Sequence, residues 1–260
     1  MIINPKTIYA IAKKEFMDYI RNKWLIIISI LYIIFIILSS YLSGENEIFG
    51  SIEATVDFVI FFTCFLIPII AIILGYSAIV GEVEKGSLSI VLAYPVKRVE
   101  VLIGKFFGLG SILIVTSFIG FGISGIIIMI SIGADQAALL LIFIILAILL
   151  GLMYLSTTIM ISSICKTRSR AIGGGLLLFF WIFIYFIIFQ IAQYLTTEDW
   201  IWITNILSPT NINTIAVENA FDMSQLAPDW MEMGFLLIIH LAWILIPLLL
   251  AIFFFKRRDI

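Results

Sequence analysis

Residues 79–108 read "IVGEVEKGSLSIVLAYPVKRVEVLIGKFFG", and they gather Glu82, Glu84, Lys85, Lys97, Arg98, Glu100 and Lys105 within a chain that is only 12% charged and 63% hydrophobic. Long apolar runs flank the stretch, so these charges sit on a connection between two segments that carry none. A connection that merely reversed the chain would need far fewer. Between the charges, Leu88, Val91 and Leu92 recur at helical spacing. Tyr94-Pro95 closes that run, because proline cannot continue a helix and restricts the residue before it. The spacing predicts a short surface helix with a small apolar face, bounded by Gly86 and Pro95. Such a face has no span of its own to pack on and suits insertion into a groove on a partner protein.

Outward from this stretch the chain is membrane-like. Soluble proteins are about 25% charged, whereas here the charge is half that and the mean hydropathy is +1.20. A spanning helix needs about 20 largely apolar residues, and six windows qualify: 24–42, 58–80, 106–132, 137–161, 171–195 and 234–255. None contains Asp, Glu, Lys or Arg. The expected fold is an all-α membrane protein in which residues 1–260 form one domain, with six transmembrane helices and 81–105 as a cytoplasmic loop.

Orientation follows from charge. If the N-terminus is inside, the cytoplasmic segments 1–23, 81–105, 162–170 and 256–260 hold all 15 Lys and Arg. The outer segments 43–57, 133–136 and 196–233 hold 11 of the 17 acidic residues. The positive-inside rule therefore predicts a multi-pass protein of the cell membrane with both termini cytoplasmic. The first run is too long for the apolar region of a signal peptide and no small-residue cleavage pattern follows it, so it reads as a span. Before it, 1–23 sorts into an apolar arc of Ile8, Tyr9, Ala12, Phe16, Tyr19 and Ile20 opposite Lys13, Lys14, Asp18 and Arg21. This predicts an interfacial helix along the inner leaflet. In the outer segment 196–233, Trp200, Trp202 and Trp230 predict partial helix and partial burial rather than a free loop.

The residue inventory restricts the chemistry. Cys64 and Cys165 fall near opposite membrane faces and cannot form a disulfide. Met231, Met233 and His240 are the nearest approach to a soft-metal set, a spacing unsurprising among eight methionines. His240 is the lone histidine and lies inside a predicted span. A neutral imidazole hydrogen-bonded across the bundle explains it more simply than a relay or a ligand. No HExxH motif is present, and Gly104-Lys105-Phe106 lacks the remaining residues of a P-loop. The chain is therefore read as binding no cofactor and performing no catalysis; if ATP drives it, ATP and Mg sit on another subunit.

The motifs Gly81-Glu82, Glu84-Lys85-Gly86-Ser87-Leu88, Tyr94-Pro95-Val96-Lys97-Arg98 and Gly104-Lys105 resemble those of ABC-2-type ABC transporter permease subunits. The likeness is closest to the NosY branch, which is also similar at "AKKEFMDYIRNKWLI", 12–26, and "LIPIIAIILGYSAIVGE", 66–82. "LSPTNIN", 207–213, resembles the outer-loop element of the family. The resemblance implies a homodimer of this chain in the lipid bilayer, with an ABC ATPase subunit on each copy and no nucleic-acid partner. The loop 81–105 would hold the coupling helix, with Glu82, Glu84, Lys85, Gly86, Leu88, Val91, Leu92, Tyr94, Pro95, Lys97 and Arg98 at the ATPase interface. Phe16, Tyr19 and Arg21 of the interfacial helix would form a second contact. A periplasmic partner would dock near Ser208, Pro209 and Asn213, and the assembly would serve copper-site maturation of nitrous oxide reductase.

Small residues at four-residue spacing favour close helix approach. Gly104 with Gly108, Gly120 with Ser124, and Gly173 to Gly175 are candidates for dimer packing or, equally, for packing within one copy. Pro68 and Pro247 are expected to bend their spans. Three functions stay open at this stage: a permease subunit driven by a separate ATPase, a mechanical linker that drives a periplasmic protein without transport, and a stand-alone channel or carrier.

Overall fold

A computed structural model describes residues 3–21, 27, 30, 31, 34, 52–132, 137–195, 200–223 and 227–258. Among these residues the regular structure is entirely helical. The order is α1 (Pro5–Arg21), α2 (Ile52–Gly75), α3 (Val80–Glu84), α4 (Ser87–Leu92), α5 (Arg98–Ile132), α6 (Ala137–Ile164), α7 (Arg168–Leu195) and α8 (Trp200–Ile203). A 3-10 turn (Thr204–Leu207), α9 (Pro209–Ala220) and α10 (Met233–Arg257) complete it. Among the described residues, five stretches are long and apolar enough to cross a membrane: Val59–Glu84, Arg98–Ile123, Ala138–Ile164, Arg168–Leu195 and Met233–Arg257. The chain is a multi-pass membrane protein. The first expected span, 24–42, lies outside the described residues except for the helical positions Ile27, Ile30, Leu31 and Ile34. The connections expected at 43–57 and 133–136 lie largely or wholly outside them.

The core runs along α6, which packs on α10, α2, α5 and α9. Leu150, Met153, Tyr154, Leu155 and Ile159 are all buried along it. Small polar side chains on the same helix turn back on their own backbone: Thr157 and Ser156 donate to Met153 O, Thr158 to Tyr154 O and Ser163 to Ile159 O. These bonds satisfy hydroxyls that lipid or a dry core would otherwise leave orphaned. α7 differs, since only 17% of its most apolar window is buried, and Leu177, Phe180, Ile184 and Ile187 face outward.

The helix ends extend the expected spans. α5 begins at Arg98 rather than near 106, because Glu100 supplies its cap: Oε2 accepts from Lys97 N at 3.0 Å while Oε1 accepts from Asn4 N at 2.8 Å. A glutamate in the first turn that reaches back to the preceding N–H is one arm of a capping box. Gly86 divides α3 from α4 with φ 69°, and its N–H reaches Val83 O at 3.0 Å. Nothing crowds the position, so its requirement for glycine is conformational, not steric.

Where described, the segment 196–233 is partly helical and partly buried: Ile201 is buried and Trp202 half-buried, while Ile203, Leu207 and Trp230 are exposed. Ser208 accepts from Asn211 N at 3.3 Å and Pro209 opens α9, the usual grammar of a helix start. Pro209, Thr210, Ile212, Asn213, Ile215, Ala216 and Val217 are buried, so α9 is a wedge seated against α6 and α10.

Candidate functional site

The charged stretch around 79–108 occupies one end of the bundle, together with α1, the α6–α7 turn and the C-terminal end of α10. α1 lies along the start of α5 rather than standing apart from it. The contact is made through glycine. A Cβ on Gly104 would stand 2.8 Å from Ile11 Cβ, and one on Gly108 would stand 2.7 Å from Ala12 O and from Glu15 Cβ. The Gly104/Gly108 pair is thus a groove for α1, which places this small-residue spacing within one copy of the chain. Gly174 and Gly175 face Ile161 and Ile72 in the same copy.

This contact corrects the expected face of α1. The inward stripe is Ile8, Ile11, Ala12, Glu15, Phe16 and Tyr19, while Tyr9 is 68% exposed and Ile20 and Arg21 also point outward. The stripe shifts because Glu15 has a partner on α5. Lys105 Nζ stands 2.9 Å from Glu15 Oε1 and 2.7 Å from Glu82 Oε1, and Lys14 reaches Glu82 at 3.6 Å from the rim. Burial alone would push the Glu15 carboxyl up, but Lys105 and Lys14 outweigh it and hold the group below the usual carboxylate range. Tyr19, which approaches Leu74 O at 3.5 Å, is pushed up to about 12 by burial and by the charge of Glu15. One lysine therefore joins α1, α3 and α5.

The loop is fixed elsewhere as well. Arg168 Nε lies 3.2 Å from Glu84 Oε2, its backbone N–H donates to Glu84 Oε1 at 2.8 Å, and its Nη2 donates to Gly81 O at 2.6 Å. Ile79 N and Val80 N both donate to Ser162 Oγ at 3.1 Å. Arg98 Nη1 donates to Phe255 O at 3.0 Å and Lys256 O at 3.2 Å, and also contacts Arg258 O.

These contacts divide the expected interface residues. Leu88 is fully buried in the core of this chain, and Val91 and Leu92 are half-buried against it. The apolar face expected to await a partner is turned inward, because the end of the bundle offers the packing that the sequence alone does not display. Glu82, Glu84 and Arg98 are engaged internally. The outward face of the same segment consists of Glu84, Lys85, Gly86, Ser89, Ile90, Ala93, Tyr94 and Pro95, with Ile90 and Tyr94 each 67% exposed.

At the opposite end, Ser208, Pro209 and Asn213 are buried: Ser208 and Pro209 open α9, and Asn213 meets His240. His240 is fully buried. Its Nδ1 lies 2.7 Å from Leu236 O and its Nε2 3.4 Å from Asn213, so the ring joins α10 to α9. Because Leu236 O can only accept, Nδ1 carries the proton; the Asn213 atom facing Nε2 is Oδ1, also an acceptor, so this second contact is a hydrogen bond only when Nε2 carries a proton too or the Asn213 amide turns its NH2 group inward. Tyr154 and Thr210 share a 2.7 Å hydrogen bond nearby on α6 and α9. Met231 is buried and Met233 half-buried, and among the described residues His, Cys, Asp and Glu form no cluster of three able to hold a metal ion.

Tight helical packing on a central span, with a short charged helical loop bound at one end of the bundle, defines a multi-pass helical membrane protein. The chain belongs to the ABC-2 family of transporter proteins, whose sequence profile matches residues 9–260. A protein of Stutzerimonas stutzeri named "Probable ABC transporter permease protein NosY" is 33% identical, over 96% of this chain and 98% of that relative. One of the same name from Pseudomonas aeruginosa is 32% identical, over 97% and 99%.

Proposed function

We propose that this chain is the permease subunit of an ABC transporter in which ATP binding and hydrolysis on a separate ATPase subunit drive its membrane helices. The observation that carries this reading is the build of 79–98. Ile90 and Tyr94 project from a short helix and turn whose other side is fastened to α1, α5, α6, α7 and α10. A push on such a face is delivered to most of the bundle at once. On this reading the face lies in the cytoplasm with the chain termini, α4 is the coupling helix, and the exposed edge of α1 with Arg21 flanks the ATPase. Two copies meet through outward apolar faces of the kind α7 presents.

On the resemblance of the sequence motifs to the NosY branch, we extend the proposal to copper-site maturation, with α9 transmitting movement to a partner on the outer face. The mechanical-linker alternative draws support from one feature. α9 is wedged between α6 and α10 with its polar groups spent on internal bonds, so it would move with them. A photo-crosslinking amino acid at Ile90 or Tyr94 tests the main reading. ATP-dependent crosslinking to a P-loop ATPase is the expected result, and crosslinking to lipid alone would refute it.

A further inference from the structure

The two ends of 79–98 are held by residues that are themselves joined. At the front, Ser162 Oγ takes the N–H groups of Ile79 and Val80, each at 3.1 Å. At the back, Arg98 gathers the carbonyls of Phe255, Lys256 and Arg258, with its guanidinium 5.8 Å from the buried Phe255 ring. Arg258 closes the circuit, since its Nη1 donates to Ser162 O at 3.2 Å and to Ser163 O at 3.1 Å. Each arginine binds carbonyls at the end of a helix, where the last C=O groups lack an intrahelical N–H: Arg98 does so at the end of α10, sharing Phe255 O with the Arg258 N–H, and Arg258 at the end of α6. The anchors are far apart in sequence and converge only here.

We infer that Arg258 is a positioning residue for coupling: it locks the ends of α6 and α10 together, so that the segment 79–98 moves both helices as one unit. The inference rests on the reading that 79–98 receives the ATPase subunit. Without Arg258 the front anchor would still belong to α6 and the back anchor to α10, and the ends of the two helices would be joined only through the side-chain packing and the Ser156–Trp243 O hydrogen bond farther along the pair. The one guanidinium nitrogen Nη1 carries two N–H groups in a fixed plane and reaches both carbonyls, whereas an ammonium acts as a compact point charge. Ser162 holds its place by the same logic, as its side chain serves α3 and its carbonyl serves Arg258.

The test uses the full chain with its ATPase subunit in lipid nanodiscs. Hydrogen exchange is compared between the nucleotide-free complex and the complex trapped with ATP and vanadate. In the parent, exchange is expected to change in 87–92 and also in 156–164 and 244–257. In Arg258→Gln the ATPase should still copurify and the change in 87–92 should persist, while the change in the two helix ends falls on the order of fivefold or more. Arg258→Lys should recover part of it, which a simple loss of fold would not produce. If Arg258→Gln fails to assemble, the Lys variant carries the comparison, with a reduced response at the helix ends expected. Full responses at both helix ends in the variants would overturn the inference and leave the docking reading standing. Absence of any nucleotide response at 87–92 in the parent would overturn both.

Discussion

Lys105 Nζ lies 2.7 Å from Glu82 Oε1 with its side chain only 3% exposed, which fixes the charged loop to the first turns of α5. Removing one member of a buried ion pair leaves an uncompensated charge, a loss of about 3–5 kcal/mol. Lys105→Met is therefore expected to lower the unfolding midpoint of the purified protein strongly. Adding Glu15→Gln and Glu82→Gln to that variant should restore a large part, because no buried charge then remains. Thermal unfolding followed by tryptophan fluorescence measures both. Equal destabilisation in the single and triple variants would show that the pairs contribute little.

The same cluster gives a pH dependence. Glu15 titrates below its ordinary value in the folded chain. Its contribution is therefore complete above the unfolded carboxylate pKa, about 4.3, and is lost as pH falls through the lower folded value. The stability gap between the parent and Glu15→Gln should be widest near neutral pH and narrow as the solution is acidified below about pH 4. A gap that widens on acidification would contradict the assignment.

The glycine groove predicts a graded series. Gly108→Ala places a methyl 2.7 Å from Ala12 O, a backbone atom that cannot swing aside, and should lift α1 from α5. Gly122→Ala, on the same helix with open space around it, should be nearly silent. Hydrogen exchange across 5–21 reports the difference. Exchange in Gly108→Ala as slow as in the parent would mean that α1 is held by other contacts.

Much of the fold was legible from apolar run length and charge placement, since a bilayer allows few alternatives to a spanning helix. Five of the six expected windows correspond to described spans, and Gly86 and Pro95 bracket α4 as their chemistry requires. What escaped was which way faces turn. Leu88 at helical spacing with Val91 and Leu92 gives an apolar side, but periodicity does not say whether the chain or a partner covers it. Glu15 was readable in principle: it stands seven residues after Ile8 and four after Ile11, so a charge occupies an apolar stripe and demands a partner. Ile90, Ser162, Arg168 and Arg258 left no comparable signal, because their roles depend on helix ends that meet only in three dimensions.

His240 and Asn213 provide a test at the other end of the bundle. Replacing one partner of a buried hydrogen bond leaves the other unsatisfied, which costs about 1–3 kcal/mol, whereas replacing both can be nearly neutral. His240→Leu and Asn213→Leu should each destabilise, and the double variant should lose less than the two combined. Strict additivity would indicate that the 3.4 Å contact contributes nothing.

The central claim, that the outward side of 79–98 receives an ATPase subunit while its inward side belongs to the fold, is tested most directly by copurification of that subunit with Ile90→Asp and Leu88→Asp. Ile90 is 67% exposed and Leu88 fully buried. Ile90→Asp should retain the parent's unfolding midpoint yet release the ATPase, because an exposed apolar anchor at an interface centre is replaced by a charge. Leu88→Asp should instead destabilise the chain itself, as a carboxylate is forced into its core. If Ile90→Asp retains the ATPase as fully as the parent does, this face is not the docking surface and the coupling assignment falls.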